Sequence, residues 1–294
     1  SLNCTFDLSH RLNSTHVVSG GLGFIGMHLA AALSYRQHRG DRTLMLSRSQ
    51  RSMPAVSLPQ RIRAKGFCVF QCDVSDVLEL RRCCLIVHGQ THGVLHAAGV
   101  LEDGVINTLG ATAFERVYRP KVFGAWSLLQ GTTVHAELHF MVLCSSVASG
   151  VGNAGQASYA AANGALDALS SARACSGMPS LSIRWGPWSS GGMMHDKAAR
   201  RAALGGVAPL DPSAAVLALI TLLRCEHRSP VVTVCDISRK STVLMSTPGG
   251  GPHLPSDTVV KQPRYDRNYL TSVVQNIATA VGADDSFDEL TPWG

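Results

Sequence analysis

Short apolar runs, each closed by glycine or polar residues and followed by a longer segment of mixed polarity, set the rhythm of this chain. The runs at 16–19, 42–46, 67–71, 93–99, 139–144, 179–184 and 230–234 read as buried strands, because they are brief, apolar and bounded by turn residues. Between them the pattern predicts helices over 27–33, from near Asp76, over 113–130, through the alanine-rich stretch after Tyr159, and from Asp211-Pro-Ser, where an aspartate N-cap and an early proline suit a helix start. Strands alternating with helices predict an α/β protein, a Rossmann-like doubly wound parallel sheet of about seven strands with helices on both faces and its ligand at the strand carboxyl ends. The rhythm then breaks. Residues 247–267 are rich in Pro and Gly and read as a linker, and one amphipathic helix over 269–282 follows. The expected organisation is a main domain over 14–246, the linker, and a separate segment over 268–294, with 1–13 the stub of an upstream subdomain.

Chemistry collects where the strands end. The first runs into Gly20-Gly21-Leu22-Gly23-Phe24-Ile25-Gly26 and directly into a helix. In that setting a glycine turn lets backbone amides approach a pyrophosphate at a positive helix N-terminus; the alternative is a tight turn without a ligand. The second ends in Ser47-Arg48-Ser49. An acidic residue there would take ribose hydroxyls, whereas a guanidinium flanked by hydroxyls matches a 2′-phosphate, so NADPH is the expected cofactor, against a solvated arginine as the plainer reading. Asp73-Val74 closes the third, with Asp73 either accepting from an adenine amino group or capping the next helix. His96-Ala97-Ala98-Gly99 ends the fourth in small residues that permit close approach of a cofactor. The fifth ends in Ser145-Ser146, and Tyr159 and Asn163 follow one helical turn apart on one face. A hydroxyl, a phenol and an amide gathered at a strand end suit proton transfer to a carbonyl oxygen. The sixth ends in Trp185-Gly186-Pro187-Trp188, where Pro187 and Trp188 wall a nicotinamide pocket or pack a corner. Met193, Met194, Lys197, Arg200 and Arg201 then fit a basic lid helix over an anionic ligand.

Composition narrows the class. Hydrophobic residues make up 45% and charged residues 16%, as in a soluble protein with a substantial core, and no apolar run is long enough to span a membrane. The net charge of +6 comes mostly from arginine, without a basic run interleaved with aromatics. That disfavours nucleic acid and suits an anionic small molecule or an acidic partner. Nine cysteines at irregular spacing, none as Cys-x-x-Cys, argue against a disulfide framework and for a reducing, cytoplasmic setting. His88, His92 and His96 recur every four residues, but Gly89 and Gly93 interrupt any helix and His96 falls in a strand, so no metal site is expected.

Taken in order, Ser-Gly-Gly-Leu-Gly-Phe-Ile-Gly, Leu-Ser-Arg-Ser, Cys-Asp-Val, His-Ala-Ala-Gly-Val-Leu-Glu-Asp-Gly, Pro-Lys-Val-Phe-Gly, Ser-Ser-Val-Ala-Ser, Tyr-Ala-Ala-Ala-Asn and Trp-Gly-Pro-Trp resemble the ketoreductase domain of a modular polyketide synthase, within the short-chain dehydrogenase/reductase family, over roughly residues 14–240. Simple reductases of that family carry Tyr-x-x-x-Lys and an Asn on the preceding helix. The synthase domains exchange the two, as Asn163 and Lys121 do here. The resemblance implies NADPH-dependent reduction of a β-ketoacyl thioester: Tyr159 donates the proton, Ser146 hydrogen-bonds the same oxygen with Ser145 as runner-up, Lys121 stabilises phenolate, and Asn163 holds Lys121 or a proton-relay water. The implied partners are an acyl carrier protein bearing the phosphopantetheinyl substrate and the neighbouring synthase domains; residues 269–294 are similar to the start of such a carrier. Leu101-Glu102-Asp103 is similar to the Leu-Asp-Asp of B-type domains. Val151 stands where A-type domains have Trp, and Gln156 where epimerising ones have His, so the resemblance implies a D-configured β-hydroxyl. Two rivals stand beside it. Gly-Phe-Ile-Gly, with Phe24, is typical of extended members such as nucleotide-sugar epimerases, and a reductase-inactive NADPH-binding scaffold domain would share the cofactor motifs.

Overall fold

A computed structural model of the chain describes residues 14–34, 40–49, 66–86, 91–132, 138–189, 207–224, 229–237, 240–245 and 260–261. From edge to edge the sheet runs β3 (Phe67–Gln71), β2 (Arg42–Ser47), β1 (Thr15–Ser19), β4 (Thr91–His96), β5 (Phe140–Ser146), β6 (Leu181–Trp185), β8 (Val231–Ile237), β9 (Lys240–Met245) and β10 (Val260–Lys261), with the two-residue β7 (Val207–Ala208) also on β8. The seven strands from β3 to β8 on this path are parallel; β7, β9 and β10 add antiparallel pairs at the far edge. The expected sheet is present, and three further strands extend it. β10 lies inside the span read as linker.

Strand order reverses between β1 and β4, which opens a crevice beyond their carboxyl ends. The helices are α1 (Phe24–Ser34), α2 (Val77–Ile86), α3 (Ala111–Tyr118), α4 (Gly124–Thr132), α5 (Ala148–Val151), α6 (Ala157–Cys175) and α7 (Pro212–Arg224). Because side chains alternate across a strand, neighbouring residues feed two separate cores. Val18, Met45 and Val142 pack with Leu29, Ala30, Ala215 and Leu219 of α1 and α7. Val17, Leu44, Met141 and Leu143 pack with Leu80, Leu128 and Leu166 of α2, α4 and α6. Among the described residues no helix is long and apolar enough to cross a membrane.

One element differs from its expectation in a way that matters. The helix read as continuous over 113–130 is broken by a π-helical turn at Arg119–Phe123, between α3 and α4. Pro120 supplies no N–H and crowds the carbonyl four residues before it, and the Gly124 N–H reaches back to the Arg119 carbonyl, one residue further than an α-helix would allow. Residues 1–13, the lid segment with Met193 and Met194, and the 268–294 segment lie outside the described residues.

Candidate active site

The glycine turn forms one wall of the crevice. Gly20 adopts φ 65°, and a Cβ on it would come within 2.8 Å of the Ala97 carbonyl carbon and the Ala98 nitrogen, so only glycine lets the turn lie against the end of β4. A Cβ at Gly26 would run into the Gly20 carbonyl. The first helical bond is Met27 N–H to the Gly23 carbonyl at 2.9 Å, which leaves the opening amides of α1 facing outward at its positive end. Gly23 is exposed and Ile25 half-buried. Leu22 is different: its side chain is in the core, so only its backbone remains for a ligand. Phe24 is an aromatic filler, its ring 4.5 Å from His28 and 6.2 Å from Trp188. That contact accounts for the bulky residue that the epimerase rival relied on.

The ends of β2 and β3 bring the next group together. Arg48 and Ser49 are exposed, and Ser47 Oγ donates to the Ser49 carbonyl at 3.1 Å. Asp73 Oδ1 accepts from the Ser75 amide and hydroxyl at 3.0 and 2.6 Å, while the cap of α2 is Asp76, which accepts from Leu78 and Glu79. Asp73 is therefore not the cap. Burial pushes its carboxyl up, but the two Ser75 bonds and the Arg119 and Arg48 guanidinium groups hold it below its ordinary value. Val74, beside it, is a core residue.

The proton-transfer group assembles at the end of β5. Ser146 caps the turn by accepting from the Ala148 amide at 3.2 Å, and its hydroxyl is near enough to the Tyr159 phenol to favour the ionised form. Ser145 points the other way, donating to the Asn163 carbonyl at 3.3 Å, as strand alternation requires of its neighbour. Lys121, 3% exposed, donates from Nζ to the Cys144 carbonyl at 3.0 Å and lies 5.2 Å from the Tyr159 ring centroid. Its stem lies against Gly99, where a Cβ would come within 2.9 Å of Cε. Burial pulls the ammonium down to about 8 against the opposing pull of Cys144 and Asp167. The Tyr159 phenol moves up because burial outweighs the opposing influence of the Ser146 and Asn163 side chains. Asn163 Nδ2 donates to the Tyr159 main-chain carbonyl at 2.7 Å, and its fully buried Oδ1 has no partner among the described residues. The amide does not hold Lys121, whose ammonium is on the Cys144 carbonyl; it presents a buried acceptor of the kind a water fills.

Several assigned residues take other places. His96 is fully buried with both ring nitrogens engaged inside the protein, so its side chain does not face a cofactor, while Ala97, Ala98 and Gly99 are part-exposed. Pro187 and Trp188 form a packed corner, with Trp188 6% exposed and 5.3 Å from Trp185, and with Leu210 N–H donating to the Pro187 carbonyl. Gln156 is 5% exposed and fastens loop to loop: its Nε2 donates to Asp103 at 3.0 Å, its Oε1 accepts from Asn153 at 2.9 Å, and it bridges to Gly104. Glu102 accepts a two-pronged bond from Arg116. With Leu101 half-buried, this loop is held in place beside the Tyr159 helix.

A support missing from the sequence reading is Asp167. It accepts from Ser149, Ser182 and Arg184 at 2.7, 2.6 and 2.7 Å and thereby ties α5, α6 and β6 together. Its spacing four beyond Asn163 and eight beyond Tyr159 puts it on the same face of α6, a signal available in the sequence. Among the described residues no cluster of three metal-ligating side chains is placed to hold an ion.

Comparison with known proteins gives a consistent outcome. A family model described as KR domain matches residues 14–190. The phenolphthiocerol synthesis polyketide synthase type I Pks15/1 of Mycobacterium marinum is 35% identical over 263 residues, 86% of this chain and 12% of that protein. The first ketoreductase of the tylosin PKS superposes with a TM-score of 0.67 at 37% identity, over 79% of this chain and 51% of that one. PlmKR1, the ketoreductase from the first module of phoslactomycin biosynthesis in Streptomyces sp. HK803, gives 0.69 at 32% identity over 77% and 53%. The chain thus spans a small part of the synthase it matches and about half the length of these solved ketoreductases.

Proposed function

The chain belongs to the KR domain family, the ketoreductase oxidoreductases of polyketide synthases, and on that premise we propose that it reduces a β-ketoacyl thioester, presented by an acyl carrier, to the β-hydroxyacyl thioester with NADPH. The observation that carries the reading is the buried Lys121 ammonium lying 5.2 Å from the centre of the Tyr159 ring, at the strand end where Ser146 acts on the phenol.

The crevice fits a dinucleotide. The turn at Gly20–Gly26 has no room for side chains at Gly20 and Gly26 and exposes the first amides of α1, which suits a pyrophosphate. Arg48 is exposed and suits a 2′-phosphate. Asp73 Oδ2 has no partner among the described residues and suits an adenine amino group. A reduced nicotinamide, when bound, supplies the hydride for the β-carbon.

The protein's own part is to manage the oxygen. As charge develops on the carbonyl oxygen, the Tyr159 hydroxyl gives up its proton and Ser146 donates a hydrogen bond to the same atom. Burial keeps the phenol protonated at neutral pH, the state a proton donor needs. Lys121, held near 8, stays mostly ammonium at pH 7 and offsets the phenolate that forms. The Asn163 Oδ1 sits one helical turn along and accepts from a water that returns the proton. Glu102 and Asp103 beside this group, with Gln156 tying the loop to it, support B-type geometry and a D-configured product.

The test is turnover of NADPH with a β-ketoacyl thioester surrogate, followed by assignment of product chirality. Consumption yielding the D-alcohol is expected. Binding of NADPH without consumption establishes the scaffold reading instead, and an L-alcohol overturns the stereochemical one. Tyr159→Phe is expected to lose at least about 100-fold in kcat with cofactor affinity intact.

A further inference from the structure

Lys121 stands on the π-helical turn Arg119–Phe123, and the side chain that meets its main-chain carbonyl is His96. The Lys121 main-chain carbonyl can only accept, so the 2.8 Å contact with His96 Nε2 places the imidazole proton on Nε2. Nδ1 is then bare and accepts from Ser19 Oγ at 2.6 Å. One tautomer satisfies both contacts. The ring is fully buried, and burial together with the neighbouring Lys121 charge holds its pKa down to about 3; it is a neutral donor across the working range and has no proton to exchange with substrate. The surroundings grip it. A Cβ at Gly124 would come within 3.1 Å of His96 Cε1 and 2.8 Å of Val74 Cγ1, and Gly99 leaves the slot in which the Lys121 stem lies.

We propose that His96 is a positioning residue for the reduction: its Nε2–H, with Nδ1 held by Ser19, pins the Lys121 carbonyl on the π-helical turn and so holds the ammonium against the Tyr159 ring. The proposal rests on the ketoreductase reading above. A residue that merely filled the core would be replaceable by any side chain of similar size. A residue that pins a carbonyl needs a donor at the Nε2 position. The amide nitrogen of glutamine reaches that position; leucine fills the volume and donates nothing.

Three variants of the full-length protein decide it: His96→Leu, His96→Gln and Ser19→Ala. The expected result for His96→Leu is a fall in kcat of about 100-fold, the scale of a misplaced acid–base group, with the KM for NADPH changed by less than about threefold. His96→Gln is expected to recover to within about tenfold of the parent. Ser19→Ala, which removes the partner that holds Nδ1, is expected to lose about fivefold in kcat at constant KM, and it carries the test if His96→Leu does not fold. Independently of turnover, nitrogen-15 NMR of the parent should show His96 as the Nε2–H tautomer with no titration from about pH 5 to 9. If the parent shows that tautomer and consumes no NADPH, the ketoreductase reading fails while the brace stands. Parent-level kcat in His96→Leu, equal losses in His96→Leu and His96→Gln, or an Nδ1–H tautomer would each overturn the proposal.

Discussion

Replacing Lys121 with methionine separates activity from stability, and the structure sets the size of both effects. Methionine keeps much of the stem's volume and removes the charge. With the 5.2 Å distance to the ring centroid as the scale and an effective dielectric of about 20, the ammonium–phenolate attraction is about 3 kcal/mol, equivalent to about two pKa units on the phenol and about 100-fold in kcat. The stability effect runs the other way. A folded-state value near 8 against an ordinary 10.5 means that burying the charge costs the native state about 3 kcal/mol below pH 8. Relief of that cost outweighs loss of the Nζ bond to the Cys144 carbonyl, worth about 1 kcal/mol net. The variant is therefore expected to be about 100-fold slower and at least as stable. Because the unfolded lysine binds the extra proton, the parent gains stability as pH rises from 8 to 10.5, and Lys121→Met lacks that gain. The assays are kcat at saturating NADPH and thioester, and urea midpoints at pH 7 and 10. A variant that keeps more than about a fifth of parental kcat, or loses activity and several kcal/mol of stability together, refutes the reasoning.

Further outcomes follow from other residues. Arg48→Ala should raise the KM for NADPH by about tenfold while leaving that for NADH nearly unchanged; equal effects on both would remove the 2′-phosphate assignment. Acid should destabilise the fold, because burial holds His96 at about 3 and His16 at about 4 against an ordinary 6.5. Both are neutral when folded and take up protons when unfolded, so stability is complete above pH 6.5 and is lost as pH falls toward these values; chemical unfolding from pH 7 to 4 should show a loss of several kcal/mol, and a flat profile contradicts it. Gly20→Ala should cost about 2 kcal/mol, since φ 65° and the 2.8 Å approach to the Ala97 carbonyl both oppose a Cβ; thermal melts read this directly.

How much of this was legible in the sequence depends on the kind of signal. The parallel strands were, because each is a brief apolar run ended by glycine or a polar residue, and the two cores follow from alternation along β1 and β5. The spacing to Tyr159 favours Ser146 over Ser145, and the two hydroxyls take different partners, the Ala148 amide and the Asn163 carbonyl. The break at Arg119–Phe123 was not legible, because its periodicity on either side is helical and Pro120 alone marks the change. What His96, Trp188 and Gln156 touch was not legible either. His96 and Gln156 spend their polar groups on the protein itself, on the Lys121 carbonyl and the Asp103 carboxylate, and Trp188 is buried in a packed corner. Residue type and position show that a polar group is near a site; only packing shows which way it faces.

The Asp167 junction has a consequence for how such a domain changes. The segments on either side of residues 152–156 are anchored to one carboxylate, through Ser149 before it and through the body of α6 after it, with β6 fastened to the same point by Ser182 and Arg184. A stretch moored at both ends in this way can be rewritten residue by residue while the phenol behind it stays put. Change in that stretch is thereby uncoupled from the placement of the Tyr159 ring.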